Sequence, residues 1–263
     1  MTRGAPGLVE VMAVRTWLEA TAVADGVFRV RSKRVNCYLI RDGSALTLVD
    51  TGLPGHWPAI KTACGTLGLD LPAIEAVLLT HVHTDHAGSA ERARTEASAS
   101  IRLHPGDAEL ADGRTRRKNE RPLAAYLWRP AAVATIWELV TGGGLRMPAL
   151  GGYIRIEHGD QPDVPGRPAV IGLPGHTRGS VGFFLPERGA CFSGDALVTL
   201  NLLTGRRGPQ LLGGAFMEDS RQALASLDRL TSLQADTLLP GHGDPWHGSM
   251  PDAVALAREA GPS

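Results

Sequence analysis

Nine histidines punctuate this 263-residue chain, and three of them, His81, His83 and His86, fall within six positions with Asp85 among them. Imidazole and carboxylate are ligands for borderline divalent cations. In an extended backbone side chains alternate with period two, so His81 and His83 point to one side. A tight turn then brings Asp85 and His86 round to a neighbouring point. One segment therefore offers two donors to one cation and two to a second. Two imidazoles leave a divalent ion under-coordinated, and three loops qualify to complete the set: Leu173-Pro174-Gly175-His176-Thr177, Phe192-Ser193-Gly194-Asp195 and Leu239-Pro240-Gly241-His242-Gly243. Each sets a histidine or a carboxylate just past an expected strand, where rigid elements converge.

The elements that must position these residues are legible in the hydrophobic pattern. Val27 to Val30, Val35 to Arg41 and Ala45 to Asp50 read as a β-meander with its turn at Asp42-Gly43. A helix follows Gly52-Leu53-Pro54-Gly55 to about Leu67, and Ala76 to Thr80 reads as a buried strand running into the histidine segment. A helix from Ser89 and a strand at Ile101 to Leu103 come next. Later strands are expected at Tyr153 to Ile156, Ala169 to Leu173, Val181 to Leu185, Ala190 to Phe192 and Thr237 to Leu239. Helices are expected from Asp219 to Leu233 and from Pro251. The order, β-rich with helix and then β-rich with helix again, predicts two halves packed sheet against sheet with helices outside. No repeat or low-complexity linker divides them, so residues 1–263 read as one domain.

Composition narrows the function classes. With 43% hydrophobic and 21% charged residues the chain is ordinary globular material. Basic and acidic residues balance at 27 each, so no overall field recruits nucleic acid or an anionic membrane. No apolar run suits a membrane span and no secretory leader is recognisable, which predicts a cytoplasmic protein. Cys37, Cys64 and Cys191 are odd in number and far apart, which predicts buried thiols rather than a disulfide framework. Only three of the 27 basic residues are lysine, a bias associated with GC-rich bacterial genomes.

The ordered motifs Leu48-Val49-Asp50-Thr51-Gly52, His81-x-His83-x-Asp85-His86, Gly175-His176-Thr177, Ser193-Gly194-Asp195 and Gly241-His242 together resemble the metallo-β-lactamase fold superfamily. That resemblance implies an α/β fold, an αββα sandwich of two mixed sheets flanked by helices, with a two-metal site at one edge. It implies that His81, His83 and His176 bind a first ion and that Asp85, His86 and His242 bind a second. Asp195 would bridge the two, and Asp50 would orient the metal-binding loop. The ions would be two divalent cations, zinc first and iron or manganese as alternatives. A metal-bridging hydroxide would attack a carbonyl carbon, with Asp85 as the catalytic residue that passes a proton to the leaving group.

Within the superfamily the Asp-bridged, histidine-rich pattern resembles glyoxalase II, the lactonases and related thioester or ester hydrolases. True β-lactamases of this fold commonly place a cysteine or another histidine where Asp195 stands. Only about twenty residues follow Asp244, so the helical extension of glyoxalase II is not expected, and no tyrosine follows Asp195 closely as in quorum-quenching lactonases. A ribonuclease Z-like nuclease would need a basic surface that the balanced charge does not predict. The main rival is the persulfide dioxygenase branch, with a single iron on the first triad. A non-catalytic binding domain is disfavoured by seven intact ligand positions. The expectation is a hydrolase of a small-molecule carboxylic ester, lactone or thioester, without nucleic acid or membrane partners, its oligomeric state open and a homodimer one option.

The stretch from about 113 to 144 reads as a helical insertion in the interval between His86 and His176. Arg114, Arg116, Arg117, Lys118 and Arg121 crowd its start, and Tyr126, Trp128 and Trp137 follow. One reading is a solvated arginine run with a helix that completes the core or a dimer contact. The other is a lid, with Tyr126, Trp128 and Trp137 as an apolar wall and Arg116 and Arg117 attracting an anionic substrate.

Overall fold

The computed structural model describes residues 20–114, 118–146 and 149–262. Strands β1 (Thr21–Ala24), β2 (Val27–Ser32), β3 (Val35–Asp42) and β4 (Ala45–Val49) form the antiparallel meander. After helix α1 (Trp57–Thr66), β5 (Ile74–Leu78) joins β4 in parallel. The short helix α2 (Thr84–Ala87) and α3 (Ala90–Glu96) lead to β6 (Ser100–Leu103), which joins β5 in parallel. Helices α4 (Ala108–Ala111) and α5 (Pro130–Thr141) precede β7 (Ile154–Arg155), which closes a seven-stranded sheet in the order β1 to β7.

The second sheet contains β8 (Ala169–Gly172), β9 (Val181–Leu185) and β10 (Ala190–Gly194). A separate ribbon pairs β11 (Val198–Leu200) with β12 (Arg207–Gln210). Helix α6 (Ser220–Ser226) leads to β13 (Thr237–Pro240) and β14 (Trp246–His247), and α7 (Met250–Ala260) ends the chain. The sheet order is β14-β13-β10-β9-β8, with β10 and β13 parallel.

Strand alternation explains why the sheets stack. On β3, Cys37 and Leu39 pack with Trp57, Ile60 and Ala63 of α1, whereas Tyr38 and Ile40 face the core between the sheets. On the other sheet Cys191 and Leu238 pack with Leu227, Leu230, Met250 and Val254, whereas Phe192 and Leu239 face inward. The Tyr38 and Phe192 rings meet across the interface in a T-shaped arrangement with centroids 5.3 Å apart. Each such side chain removed from water contributes about 1.5–3 kcal/mol. The layers run helix, sheet, sheet, helix, the sandwich expected from the sequence.

The ends of β4, β5 and β6 and those of β8, β10 and β13 gather at one edge. There the Val181 N–H donates to the Thr80 carbonyl at 2.8 Å and the Asn36 N–H to the Gly241 carbonyl at 2.9 Å, which joins the two sheets. Side chains cap two helices: the Asp219 carboxylate accepts the Gln222 N–H at 2.8 Å, and the Ser249 hydroxyl accepts the Asp252 N–H at 3.2 Å.

Two details depart from the expectation. The helix expected from Asp219 to Leu233 stops at Ser226 and continues as a 3₁₀ turn over Leu227–Leu230. The Ser226 hydroxyl bonds back to the Ala223 carbonyl at 2.8 Å, competing with the helical ladder. Strands β1, β11, β12 and β14 were not expected. The three cysteines are buried thiols. Among the described residues no helix is long and apolar enough to cross a membrane.

Candidate metal centre

Asp50, the first residue past β4, organises the approach to the histidine segment. Its Oδ1 accepts the Thr80 N–H, and its Oδ2 accepts the Thr80 hydroxyl and the His86 Nδ1–H, each at 2.8 Å. These three bonds hold Asp50 at φ +57°, a left-handed conformation that a residue with a Cβ adopts at a cost of about 1–2 kcal/mol. His81 and His83 reach the same point, with ring centroids 4.6 Å apart. Helix α2 then starts at Thr84 and carries Asp85 and His86 to a second point, the turn that the spacing predicted.

The three distant loops close on these two points. His176 brings Nε2 to 3.1 Å from His81 Nε2 and 2.9 Å from His83 Nδ1. His242 brings Nε2 to 3.4 Å from both His86 Nε2 and Asp85 Oδ2. Asp195 lies between: its Oδ2 is 3.5 Å from His176 Nε2 and 3.1 Å from His242 Nε2, and its Oδ1 is 3.4 Å from His86 Nε2. Among the described residues, His81 with His83 and His176, His81 with His86 and Asp195, and Asp85 with His86 and His242 each gather donor atoms within 4.8 Å of one another. Gly241 makes this closeness feasible, because a Cβ there would collide with Asp195 Oδ1 and with the His86 ring.

Hydrogen bonds on the far side of each ring select the tautomer that turns a lone pair inward. His86 donates Nδ1–H to Asp50, His242 donates Nδ1–H to the Arg34 carbonyl at 2.8 Å, and His81 Nδ1 lies 3.1 Å from the Thr80 hydroxyl. In the neutral form of these three rings the Nε2 atoms are the acceptors, and they face the centre. Asp195 Oδ1 is buried and receives no hydrogen bond. Inward lone pairs from imidazoles, together with a buried carboxylate oxygen lacking a donor, fit divalent cations.

The field in the centre points the same way. Burial, with His86 and His176 adding to it, pushes His81 well below its ordinary value. Burial opposes the charged form of His86 too, but the carboxylates of Asp195, Asp50 and Asp85 outweigh it and raise that ring well above its usual range. The same contest, won by Asp195 and Asp85, raises His242 to about 10. Burial would raise Asp195 and Asp85, yet the adjacent His86 and His242 hold both below the usual carboxylate range. The carboxylates therefore stay anionic and the centre attracts positive charge.

Above the centre opens a cavity of about 310 Å³, with His83, Asp85, His176, Asp195 and His242 at its floor. Its walls include Leu110, Leu139, Leu202, Leu212 and Phe216. The inserted stretch does supply part of the wall, through Gly113, Thr135, Leu139 and Gly144, but none of its three singled-out aromatics lines the cavity. Tyr126 is buried in the core beside the second sheet, and its hydroxyl accepts the Gly214 N–H at 3.2 Å. Trp128 and Trp137 are 73% and 67% exposed and flank a shallow hollow with Lys33 and Glu138 instead. Arg116 and Arg117 lie outside the described residues.

Sequence reasoning placed Asp50 but missed the residues that fix the His242 loop. The Asn36 amide donates to the Pro240 and Gly243 carbonyls at 2.9 and 2.7 Å, and the Tyr38 hydroxyl donates to the Pro240 carbonyl at 2.7 Å. The one available signal was a polar Asn36 in the otherwise apolar run of β3.

The chain is similar to several known proteins. The sequence model of the metallo-beta-lactamase superfamily matches residues 31–242. "Uncharacterized protein YobT" of Bacillus subtilis (strain 168) is 32% identical over 165 residues, 62% of this chain and 61% of its own length. The chain thus spans less than two thirds of that relative. "Probable metallo-hydrolase YflN" of the same organism is 24% identical over 236 residues, 86% of each chain. Among solved structures, TTHA1623 in a di-iron-bound form aligns with a TM-score of 0.55 and 31% identity, over 83% of this chain and 92% of that one.

Proposed function

The chain belongs to the metallo-beta-lactamase superfamily, with its hydrolase-type fold, and from that premise we propose that it is a dinuclear metallo-hydrolase of small-molecule carboxylic esters, lactones or thioesters. The observation that carries the reading is the position of Asp195, whose carboxylate lies within 3.5 Å of His176 on one side and 3.1 Å of His242 on the other. His81, His83 and His176 would hold one cation, Asp85, His86 and His242 the other, and Asp195 both. Zinc suits these donors, and iron, held as a pair by TTHA1623, suits them also. When bound, such ions supply Lewis acidity that lowers the pKa of water towards 7 and polarises a carbonyl oxygen.

The protein's own groups do the rest. The apolar wall of Leu139, Leu202, Leu212 and Phe216 takes the body of the substrate and keeps bulk water from the floor. Asp85, with 17% of its side chain exposed against 3% for Asp195, is the carboxylate that substrate can meet. Held anionic by its histidine neighbours, it accepts a proton during attack and returns it to the leaving oxygen or sulfur. Tautomers fixed by Asp50 and the Arg34 carbonyl keep the floor from reorganising during the reaction.

The test combines metal analysis of protein purified without chelator with turnover of a panel of lactones, acyl thioesters, aryl esters and S-lactoylglutathione. The expected result is close to two divalent ions per chain, hydrolysis within the panel, and loss of both ions in Asp195→Ala. A single tightly bound iron that is indifferent to changes at Asp85 or His242, with oxygen-dependent sulfite production from persulfide, would overturn the proposal.

A further inference from the structure

Strand β6 runs parallel to β5 and ends at the same edge as the ligand loops. The chain then turns through His104, Pro105 and Gly106 and buries Asp107, 1% exposed, behind the centre. Asp107 Oδ2 accepts the Val82 N–H at 2.8 Å and the Thr177 hydroxyl at 2.9 Å, and Oδ1 accepts the Gly179 N–H at 2.9 Å. Val82 stands between His81 and His83, and Thr177 directly follows His176. One carboxylate thus grips both loops that furnish the first histidine cluster. A Cβ on Gly179 would lie 2.6 Å from the Asp107 carboxyl carbon, so glycine permits the approach.

The second cluster has separate supports. His86 is oriented by Asp50, and the His242 loop by Asn36, Tyr38 and the Arg34 carbonyl. The hydrogen bonds of Asp107 run instead to Val82, Thr177 and Gly179.

We propose that Asp107 is a positioning residue for the first cluster alone, setting the spacing between the loop of His81 and His83 and the loop of His176. The inference rests on the reading that these histidines bind a cation. Hydrogen bonds to a carboxylate are stronger than neutral ones, and partners behind metal ligands typically tune affinity by about 10- to 100-fold. In Asp107→Asn one carboxylate oxygen becomes an amide nitrogen that faces an N–H, so at least one of the three bonds is lost with little change in volume.

The experiment titrates metal-free protein with Zn²⁺ against a chromophoric chelator in two single-site backgrounds. His242→Ala leaves the first cluster intact and His83→Ala leaves the second. Asp107→Asn weakens binding about 10- to 100-fold in the His242→Ala background and less than about threefold in the His83→Ala background. The visible spectrum of the Co²⁺-loaded first site shifts with it, a readout that a general loss of stability would not produce. Should Asp107→Asn fail to fold, Thr177→Val removes one of the three bonds and carries the same test with a smaller effect in the same background. Equal weakening in both backgrounds, or none in either, overturns the inference while the metal reading stands. Parent proteins that bind no ion at all overturn the metal reading and the inference with it.

Discussion

Asp50→Asn isolates what one buried carboxylate does for this centre. Two oxygens receive three donors at 2.8 Å: the Thr80 N–H on Oδ1, and the Thr80 hydroxyl and His86 Nδ1–H on Oδ2. Asparagine offers one oxygen. If its amide nitrogen takes the Oδ1 place, it faces the Thr80 N–H. If it takes the Oδ2 place, it faces the His86 Nδ1–H, while the Thr80 hydroxyl can turn to donate elsewhere. Either way one buried donor is stranded, at a cost of about 1–3 kcal/mol. In a domain of this size each kcal/mol lowers Tm by about 2–4 °C, so metal-free Asp50→Asn should melt about 2–12 °C lower. His86 also loses the partner that fixes its tautomer, so the second ion should bind about 10- to 100-fold more weakly while the first changes little. Calorimetry of the metal-free protein and a chelator competition titration read the two effects separately. An unchanged Tm together with unchanged affinity for both ions would refute the reasoning, since no stranded donor would then exist.

Three further outcomes are expected. Asp85→Asn keeps an oxygen ligand but not a base, so turnover per bound metal pair should fall by about 10²- to 10⁴-fold with a much smaller loss of metal; stopped turnover with metal analysis checks this, and metal loss with unchanged turnover per site would exclude the proton-transfer role. Phe183→Ala empties a fully buried position between the sheets and should destabilise the fold by about 3–5 kcal/mol in denaturant titration without changing metal stoichiometry. His56, whose Nδ1 accepts the Leu53 N–H, is lowered to about 4 by burial, with Asp85 opposing. Because the unfolded ring titrates near 6.5, the unfolded chain binds more protons between these values, and stability falls as pH drops from about 6.5 to 4, by up to about 3 kcal/mol. His56→Asn, which can keep the acceptor, should flatten that part of the stability curve, and coincident curves for variant and parent would count against it.

How much of this was readable beforehand follows the range of each interaction. The pairing of His81 with His83 and the turn that separates Asp85 and His86 from them depend on neighbours a few residues away. Backbone periodicity and local hydrogen bonding carry such information in one dimension, so sequence by itself determined them. The glycine-histidine loops at 176 and 242 were legible for the same reason, as strand ends. Only tertiary structure decided that Asp195 faces both clusters, that Asn36 and Tyr38 hold the Pro240 carbonyl, and that Asp107 ties Val82 to Thr177. These contacts join residues about 20 to 200 positions apart, and they exist because two separately hydrogen-bonded sheets bury their inner faces against each other and bring their strand ends to one edge. The same closure turned Trp128 and Trp137 outward while Thr135 and Leu139 of the same helical stretch took the cavity wall. Which face of a helix is buried depends on where the rest of the molecule stands, and an apolar stretch with aromatics on more than one side does not specify that by itself.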